Sequence, residues 1–160
     1  MAVAIACSFI QTRLDYCNAL LSSNSDGNIA RLQRVQNCAA RIVLRKGRRT
    51  SAAPLLRSLH WLPIADRIRF KVAVLSYKAI STGQPSYLRN LLIPCAPARA
   101  LRSGTRSLLK VPPCPLVACR PAFSISAPTI WNSLSDHTRA ADTLTSFRSR
   151  LKTELFLGPL

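Results

Sequence analysis

The sequence predicts a mainly α-helical protein, a small helical bundle with an irregular middle segment rich in proline and arginine. Apolar residues recur at three- and four-residue spacing along several stretches of the 160-residue chain, which is typical of one buried helix face. Hydrophobic residues make up 48% of the chain, enough to build a core. Six prolines lie between Pro94 and Pro121, where they disfavour continuous helix.

Five helices are predicted before the proline-rich segment. The first covers residues 3–22, and the second begins behind Asp26 or Asn28 and is stopped by Gly47. The apolar stripe of the second helix consists of Ile29, Leu32, Val35, Ala39, Ile42 and Val43. The other three helices cover about 52–59, 64–80 with Pro63 in the first turn, and 87–92. The helix over 64–80 is apolar around much of its circumference, which predicts a central position.

The second half of the chain contains fewer regular elements. Residues 94–121 are predicted to form a loop, with one short strand at Leu108–Val111. Helices follow at Pro128–Leu134 and at Leu144–Leu157, the latter capped by Asp142 or Thr143. Composition therefore divides the chain into a helical domain (1–93), a Pro/Arg-rich linker or arm (94–121) and a C-terminal helical segment (122–160).

The charge of the chain indicates a polyanionic partner. Lys and Arg number 23 against 6 Asp and Glu, which gives a net charge of +17, and most of the cations are arginines. Arginine grips phosphates with two hydrogen bonds at once, so RNA or DNA is the expected partner. An arginine-rich coding bias would leave the same composition without such a partner.

Two clusters of cations are predicted to contact the nucleic-acid backbone. The first follows the second helix and the second lies in the proline-rich segment, where a solvated surface loop is an equal alternative. The predicted residues are Arg41, Arg45, Lys46, Arg48 and Arg49 in the first cluster, and Arg99, Arg102, Arg106 and Lys110 in the second. Such contacts would be independent of base sequence and would weaken with salt.

Catalytic and metal-binding patterns are missing from the sequence. The six acidic residues are never adjacent, so no pair is spaced to hold two metal ions. Neither His60 nor His137 lies in a cluster of several acidic residues, which a nuclease would need. Among the six cysteines only Cys114 and Cys119 are close in sequence, and no histidine accompanies them. We therefore expect no enzyme activity, no cofactor, no metal and no small-molecule substrate.

Single polar and aromatic residues favour structural roles. Asp15 is expected to pair with Arg13 or with a cation of the second helix. Trp61 lies among leucines in the turn HWLP, so packing is favoured over base stacking. The same argument applies to Trp131.

The order of six short phrases resembles the segment that follows the polymerase core in the reverse transcriptase of LINE-type, jockey-like non-LTR retrotransposons. The phrases are LDYCNALL (14–21), LQRVQNCAARIV (32–43), LRSLHWLP (56–63), PSYLRNLL (85–92), AFSISAPTIWNSL (122–134) and SFRSRLKTELF (146–156). The resemblance implies a thumb-like accessory role, in which the segment holds RNA or DNA beside upstream reverse transcriptase domains. It brings no catalytic residue. One departure is Ser135, where the family pattern leads us to expect proline, a change that should only loosen a turn.

Other interpretations stay open at this point. The chain is alternatively a small helical protein-interaction module with exposed apolar stripes, a fragment that works with a polymerase supplied by another chain, or a non-functional remnant of a transposon. The first ten residues are too short for a membrane span and lack the charged start of a secretion signal, so we expect neither membrane insertion nor secretion. RKGRR (45–49) fits a nuclear import signal or plain surface charge, which leaves nucleus and cytoplasm open.

Overall fold

The computed structural model describes residues 5, 7–23, 25–95, 107–113 and 122–158 of the chain. Within these residues it is mainly helical and contains no strand, which confirms the predicted fold class. The α-helices are α1 (Thr12–Asp15), α2 (Asp26–Val43), α3 (Ala52–Ser58), α4 (Ile64–Thr82), α5 (Ser86–Leu91), α6 (Phe123–Ser133), α7 (Asp136–Arg139) and α8 (Leu144–Leu157). A π-helical turn at Cys7–Gln11 and a 3₁₀ turn at Asn18–Ser23 flank α1.

The prediction of one continuous helix over 3–22 is wrong for the described residues. α1 ends at Asp15, Tyr16 is extended, and Cys17 takes a left-handed conformation at φ 51°. The apolar residues keep their three- and four-residue spacing in the sequence across this break. The 3₁₀ turn that follows has three residues per turn, so this spacing fits it as well as it fits an α-helix. Periodicity alone does not distinguish a broken segment from an unbroken helix.

The chain groups into two compact units, which are Met1–Ile68 with Leu155–Leu160, and Arg69–Glu154. This grouping follows spatial contacts, whereas the division predicted at residues 93 and 121 followed composition. The compositional division stays a prediction.

The first unit has its core where α2 meets α3. Ala39 and Ala40 of α2 pack with Leu55 and Leu56 of α3 and with Trp61. Trp61 is only 6% exposed, so the predicted packing role of this tryptophan is confirmed. The two alanines have short side chains, which lets neighbouring elements approach α2 closely at this point.

The buried face of α2 differs from the predicted apolar stripe. Val35 and Ile42 are 51% and 69% exposed, while Gln36 is fully buried beside Ala39 and Ala40. Gln36 is held in the protein interior because its side-chain nitrogen donates a hydrogen bond to the backbone carbonyl of Leu62. The side of α2 that faces the core is therefore not its most apolar side, because the hydrogen bond to Leu62 holds Gln36 in the interior.

The second unit is built around three aromatic rings. Phe147 of α8 is fully buried, with its ring centroid 4.4 Å from that of Tyr77 and 5.9 Å from that of Trp131. The Tyr77 hydroxyl donates to the carbonyl of Ala141 at 2.8 Å. Trp131 is 3% exposed, which confirms its predicted packing role. Val72, Ala73 and Val74 of α4 are buried as well.

Helix ends in the second half depart from prediction at two places. α6 begins at Phe123, five residues before the predicted start at Pro128, so Pro128 lies inside the helix. Pro128 is buried with Ala127 and Trp131, and this packing offsets the backbone hydrogen bond that proline cannot donate. The predicted strand at Leu108–Val111 is instead a single bridge between Leu109 and Pro94.

Helix starts follow local hydrogen bonds. Thr143 caps α8, since its hydroxyl oxygen accepts from the amide of Ser146 at 3.2 Å. The residue before α2 is Ser25, not the predicted Asp26 or Asn28. Pro63 lies immediately before α4, and its carbonyl accepts from the amide of Arg67.

Candidate nucleic-acid interface

The first predicted basic cluster lies on a turn that closes the C-terminal end of α2. α2 ends at Val43, and Arg45 takes a left-handed conformation at φ 52°. The amide of Arg45 donates to the carbonyl of Ile42 at 3.2 Å, and the amide of Lys46 donates to that of Arg41 at 2.9 Å. These two bonds form a Schellman motif. The prediction that Gly47 stops the helix is wrong, because Arg45 occupies the left-handed position usually given to glycine.

The other end of the basic turn is fastened back to α2. The Arg41 side-chain Nε donates to the carbonyl of Thr50 at 3.0 Å, and the amide of Thr50 donates to the carbonyl of Gly47 at 3.1 Å. Residues 44–50, which we call the basic turn, therefore leave α2 and return to it. Such a closed turn holds its side chains close together without further secondary structure.

The basic turn presents its cations to solvent. Arg45, Lys46, Arg48 and Arg49 are all exposed, whereas Arg41 is half-buried and holds the turn closed. The structure thus gathers the first predicted cluster at one place and separates its members into four surface cations and one anchoring arginine. Arg41 was predicted to contact phosphate, and its hydrogen bond to Thr50 gives it a structural role in addition.

No acidic residue neutralises the basic turn from nearby in the sequence. The chain from Gly27 to Ala65 contains eight Lys and Arg and no Asp or Glu. Asp15, an acid of the same unit, forms an ion pair with Arg67 at 3.1 Å. The potential around the turn is therefore positive, which attracts polyanions and raises their local concentration.

Asp15 has a partner different from the one expected. It pairs with Arg67 of α4, not with Arg13 or a cation of α2, and Arg67 also donates to the side-chain oxygen of Gln11. Gln11 is buried at 5% exposure. No local sequence pattern indicates this pair, since more than 50 residues separate the two partners. The structural role predicted for Asp15 is confirmed, but its partner was misassigned.

Two glutamines of α2 hold the turn before α4. Gln36 Nε2 donates to the carbonyl of Leu62 at 2.8 Å, and Gln33 Oε1 accepts from the amide of Ile64 at 2.8 Å. Gln33 also donates to the side-chain oxygens of Gln36 and Asn37. These hydrogen bonds were not predicted, although the Q-x-x-Q spacing, which places both glutamines on one side of a helix, indicates such a pair.

The second predicted cluster lies mostly outside the described residues, which include Lys110 but not Arg99, Arg102 or Arg106. Lys110 is exposed and belongs to the second unit. Its backbone is fixed, because its amide donates to the carbonyl of Ile93 at 2.8 Å. The proposed role of this cluster stays a prediction.

The residues next to Lys110 are held by α6. Asn132 accepts from the amide of Leu109 at 2.9 Å and donates to the carbonyl of the same residue at 2.8 Å. Trp131 Nε1 donates to the carbonyl of Ser107 at 2.8 Å. The Trp-Asn pair in the phrase TIWNSL therefore anchors one side of the Pro/Arg-rich segment by its backbone.

A polar cluster around Glu154 lies in the second unit and was not predicted. Glu154 accepts from the amide and the hydroxyl of Ser135, at 2.9 and 2.8 Å, and from the hydroxyl of Thr138 at 2.6 Å. Partial burial raises the pKa of Glu154, but these hydrogen bonds and the nearby Arg139 charge outweigh it, and the pKa lies below its usual value. This network explains Ser135: it caps α7, and proline would supply neither donor to Glu154. The expected loosening of the turn is therefore wrong.

The described residues contain no group of three His, Cys, Asp or Glu side chains placed to hold a metal ion. Cys114 and Cys119, the closest cysteine pair in sequence, lie outside the described residues. Cys17, Cys38 and Cys95 are free and exposed. No helix within the described part of the chain has the length and apolar character needed to cross a membrane.

Comparison of the chain with protein-family models, with curated proteins and with solved structures found no match.

Proposed function

We propose that this chain is a nucleic-acid-binding accessory segment that holds RNA or DNA by its backbone phosphates and has no catalytic residues of its own. The observation that carries the proposal is the basic turn, where four exposed cations are held together by a turn closed at both ends. The absence of acidic residues from Gly27 to Ala65 adds to it.

The geometry suits phosphates better than bases. Arginine side chains offer paired donors that match phosphate oxygens, and the basic turn places four cations within five positions. Both tryptophans are buried in packing roles, so neither offers a flat face for stacking. Binding to backbone phosphates is independent of base sequence and depends strongly on salt.

The arrangement of acidic residues supports an accessory role without catalysis. Asp15 pairs with Arg67, Asp136 pairs with Arg139, and Glu154 accepts three hydrogen bonds. Each of these acids is engaged in holding the fold. The chain resembles the post-polymerase segment of a non-LTR retrotransposon reverse transcriptase, and this resemblance makes upstream polymerase domains a further proposed partner.

Fluorescence anisotropy of a labelled single-stranded RNA, titrated with the purified chain over a series of salt concentrations, tests the proposal. Heparin serves as the competitor, because it supplies the same charge without nucleotides. We expect micromolar or tighter binding at low salt, a steep decrease with added salt, and retention of RNA in the presence of heparin at equal charge. Absence of binding at low salt, or complete loss to heparin, contradicts the proposal.

A further inference from the structure

One side of α2 carries a row of exposed residues at the spacing of a helix-pairing seam. The row consists of Asn28, Arg31, Val35, Cys38 and Ile42, separated by three, four, three and four residues. This alternation places side chains along one line of a helix, where a second helix can pack. We call these five residues the α2 seam.

The apolar members of the α2 seam are exposed. Val35 is 51% and Ile42 is 69% exposed, and Cys38 between them is an exposed free thiol. Ala40 lies on roughly the opposite side of the same helix, and Ala39 and Ala40 are both buried in the core of the first unit. Aliphatic side chains aligned on the solvent side of a helix mark a surface that gains free energy when it is covered.

The charges around the α2 seam define what covers it. Arg31 lies on the seam and the exposed Arg34 lies beside it, while no acidic residue follows Asp26 anywhere in α2. A second copy of this helix would bring cations against cations, so pairing between copies is disfavoured. Aliphatic side chains offer no flat ring on which a base can stack, so a nucleic acid gains little from Val35 and Ile42.

We propose that the α2 seam docks an acidic amphipathic helix of a partner protein. The partner helix supplies aliphatic side chains that cover Val35, Cys38 and Ile42, and carboxylates that meet Arg31 and Arg34. The seam ends at Ile42, before the basic turn begins at Leu44, so the two surfaces are separate along the chain. This inference therefore goes beyond the proposed binding of nucleic acid and does not depend on it.

Cys38 provides a direct readout, because its thiol lies in the middle of the α2 seam. The probe is a synthetic helix-forming peptide of the length of α2, with Leu at seam spacing and Glu on both sides. The rate of maleimide modification is measured for each cysteine by mass spectrometry, with the exposed Cys95 as an internal reference. At peptide concentrations that occupy about 90% of the protein, modification of Cys38 slows about tenfold by mass action, while that of Cys95 is unchanged.

Three controls make the result specific. A peptide with Lys in place of Glu is expected to give no protection, and the substitution Ile42→Asp is expected to abolish protection by the acidic peptide. Leu157→Asp is the matched variant, since Leu157 is 82% exposed in the same unit but lies outside the seam, and it is expected to retain protection.

Several results would overturn the proposal. Equal protection by the acidic and the basic peptide would remove the charge argument, and unchanged protection in Ile42→Asp would place the peptide elsewhere. Protection of Cys38 by single-stranded RNA but not by the peptide would assign the face to nucleic acid. A Cys38 rate that falls as the concentration of the chain alone rises would identify a second copy as the occupant.

Discussion

The side chain of Gln36 donates a hydrogen bond of 2.8 Å to the carbonyl of Leu62, across 26 residues of sequence. Gln36 is fully buried, so both groups are removed from water and depend on each other. This contact fixes which side of α2 faces the core. It therefore also fixes which side carries the exposed seam.

Substitution of Gln36 by leucine is expected to destabilise the chain. Leucine has a similar volume but leaves the buried carbonyl of Leu62 without this donor, at a cost of about 1–3 kcal/mol in the free energy of unfolding. Urea denaturation followed by circular dichroism measures the change. Gln84→Leu, at an exposed position, is the matched control and should change stability by less than about 0.5 kcal/mol. Equal free energies of unfolding for Gln36→Leu and the parent chain would contradict a stabilising role of the hydrogen bond from Gln36 to Leu62.

Replacement of Arg45 by glycine is expected to stabilise the chain, although a cation at a helix C-terminus is lost. Arg45 has φ 52°, a conformation that glycine adopts without steric conflict, so the expected gain is about 0.5–1 kcal/mol. Arg48→Gly removes the same charge at an exposed position outside the set of left-handed residues, and should not stabilise. Chemical denaturation of both variants gives the comparison. A gain in both, or in neither, would argue against the Schellman geometry.

Stability is expected to fall on acidification through the titration of Glu154. The pKa of Glu154 is lowered in the folded chain, so its contribution is present above the pKa of the unfolded chain and is lost as pH falls through the folded pKa. Urea denaturation at neutral pH and below pH about 4 measures this loss. Glu154→Gln should reduce the pH dependence. An identical pH dependence in Glu154→Gln would contradict the assignment.

Ser135→Pro is expected to destabilise the second unit. The substitution removes two donors to Glu154, the amide at 2.9 Å and the hydroxyl at 2.8 Å, together with the cap of α7. The expected loss is about 1–3 kcal/mol. Ser135→Ala keeps the amide and should lose less, which thermal unfolding of the two variants will show. Greater stability of the proline variant would mean that the network contributes little.

Much of the fold follows from hydrophobic periodicity. The bounds of α3, α4 and α8 lie within two residues of those predicted, because each helix has an apolar stripe that ends at a clear cap or turn residue. The burial of Trp61 and Trp131 followed from their apolar neighbours in sequence.

Two of the errors have a common physical origin in contacts between residues distant in sequence. The buried face of α2 was misplaced because Gln36 is held inside by Leu62, and Asp15 was misassigned because its partner is Arg67. The break at Cys17 preserved the apolar repeat, so it left no trace in the pattern.

The candidate site was only partly accessible from the sequence. The run of cations in 45–49 is plain from composition, but the closure of the turn is not. It depends on a left-handed arginine at position 45 and on the bond from Arg41 to Thr50. Neither belongs to a residue type that normally marks such a turn.

The most direct test of phosphate binding by the basic turn is the salt dependence of RNA binding by a variant that lacks its four exposed cations. The variant replaces Arg45, Lys46, Arg48 and Arg49 by alanine. A control variant removes the same charge at four other exposed positions, Arg13, Lys71, Lys78 and Arg148. We predict weaker RNA binding in the first variant only. Its slope of log K against log salt concentration should be flatter by about 0.7 per lost phosphate contact, and the helical content of both variants should be unchanged. An unchanged slope in the first variant, or an equal change in the control, would contradict a phosphate-binding role for the basic turn.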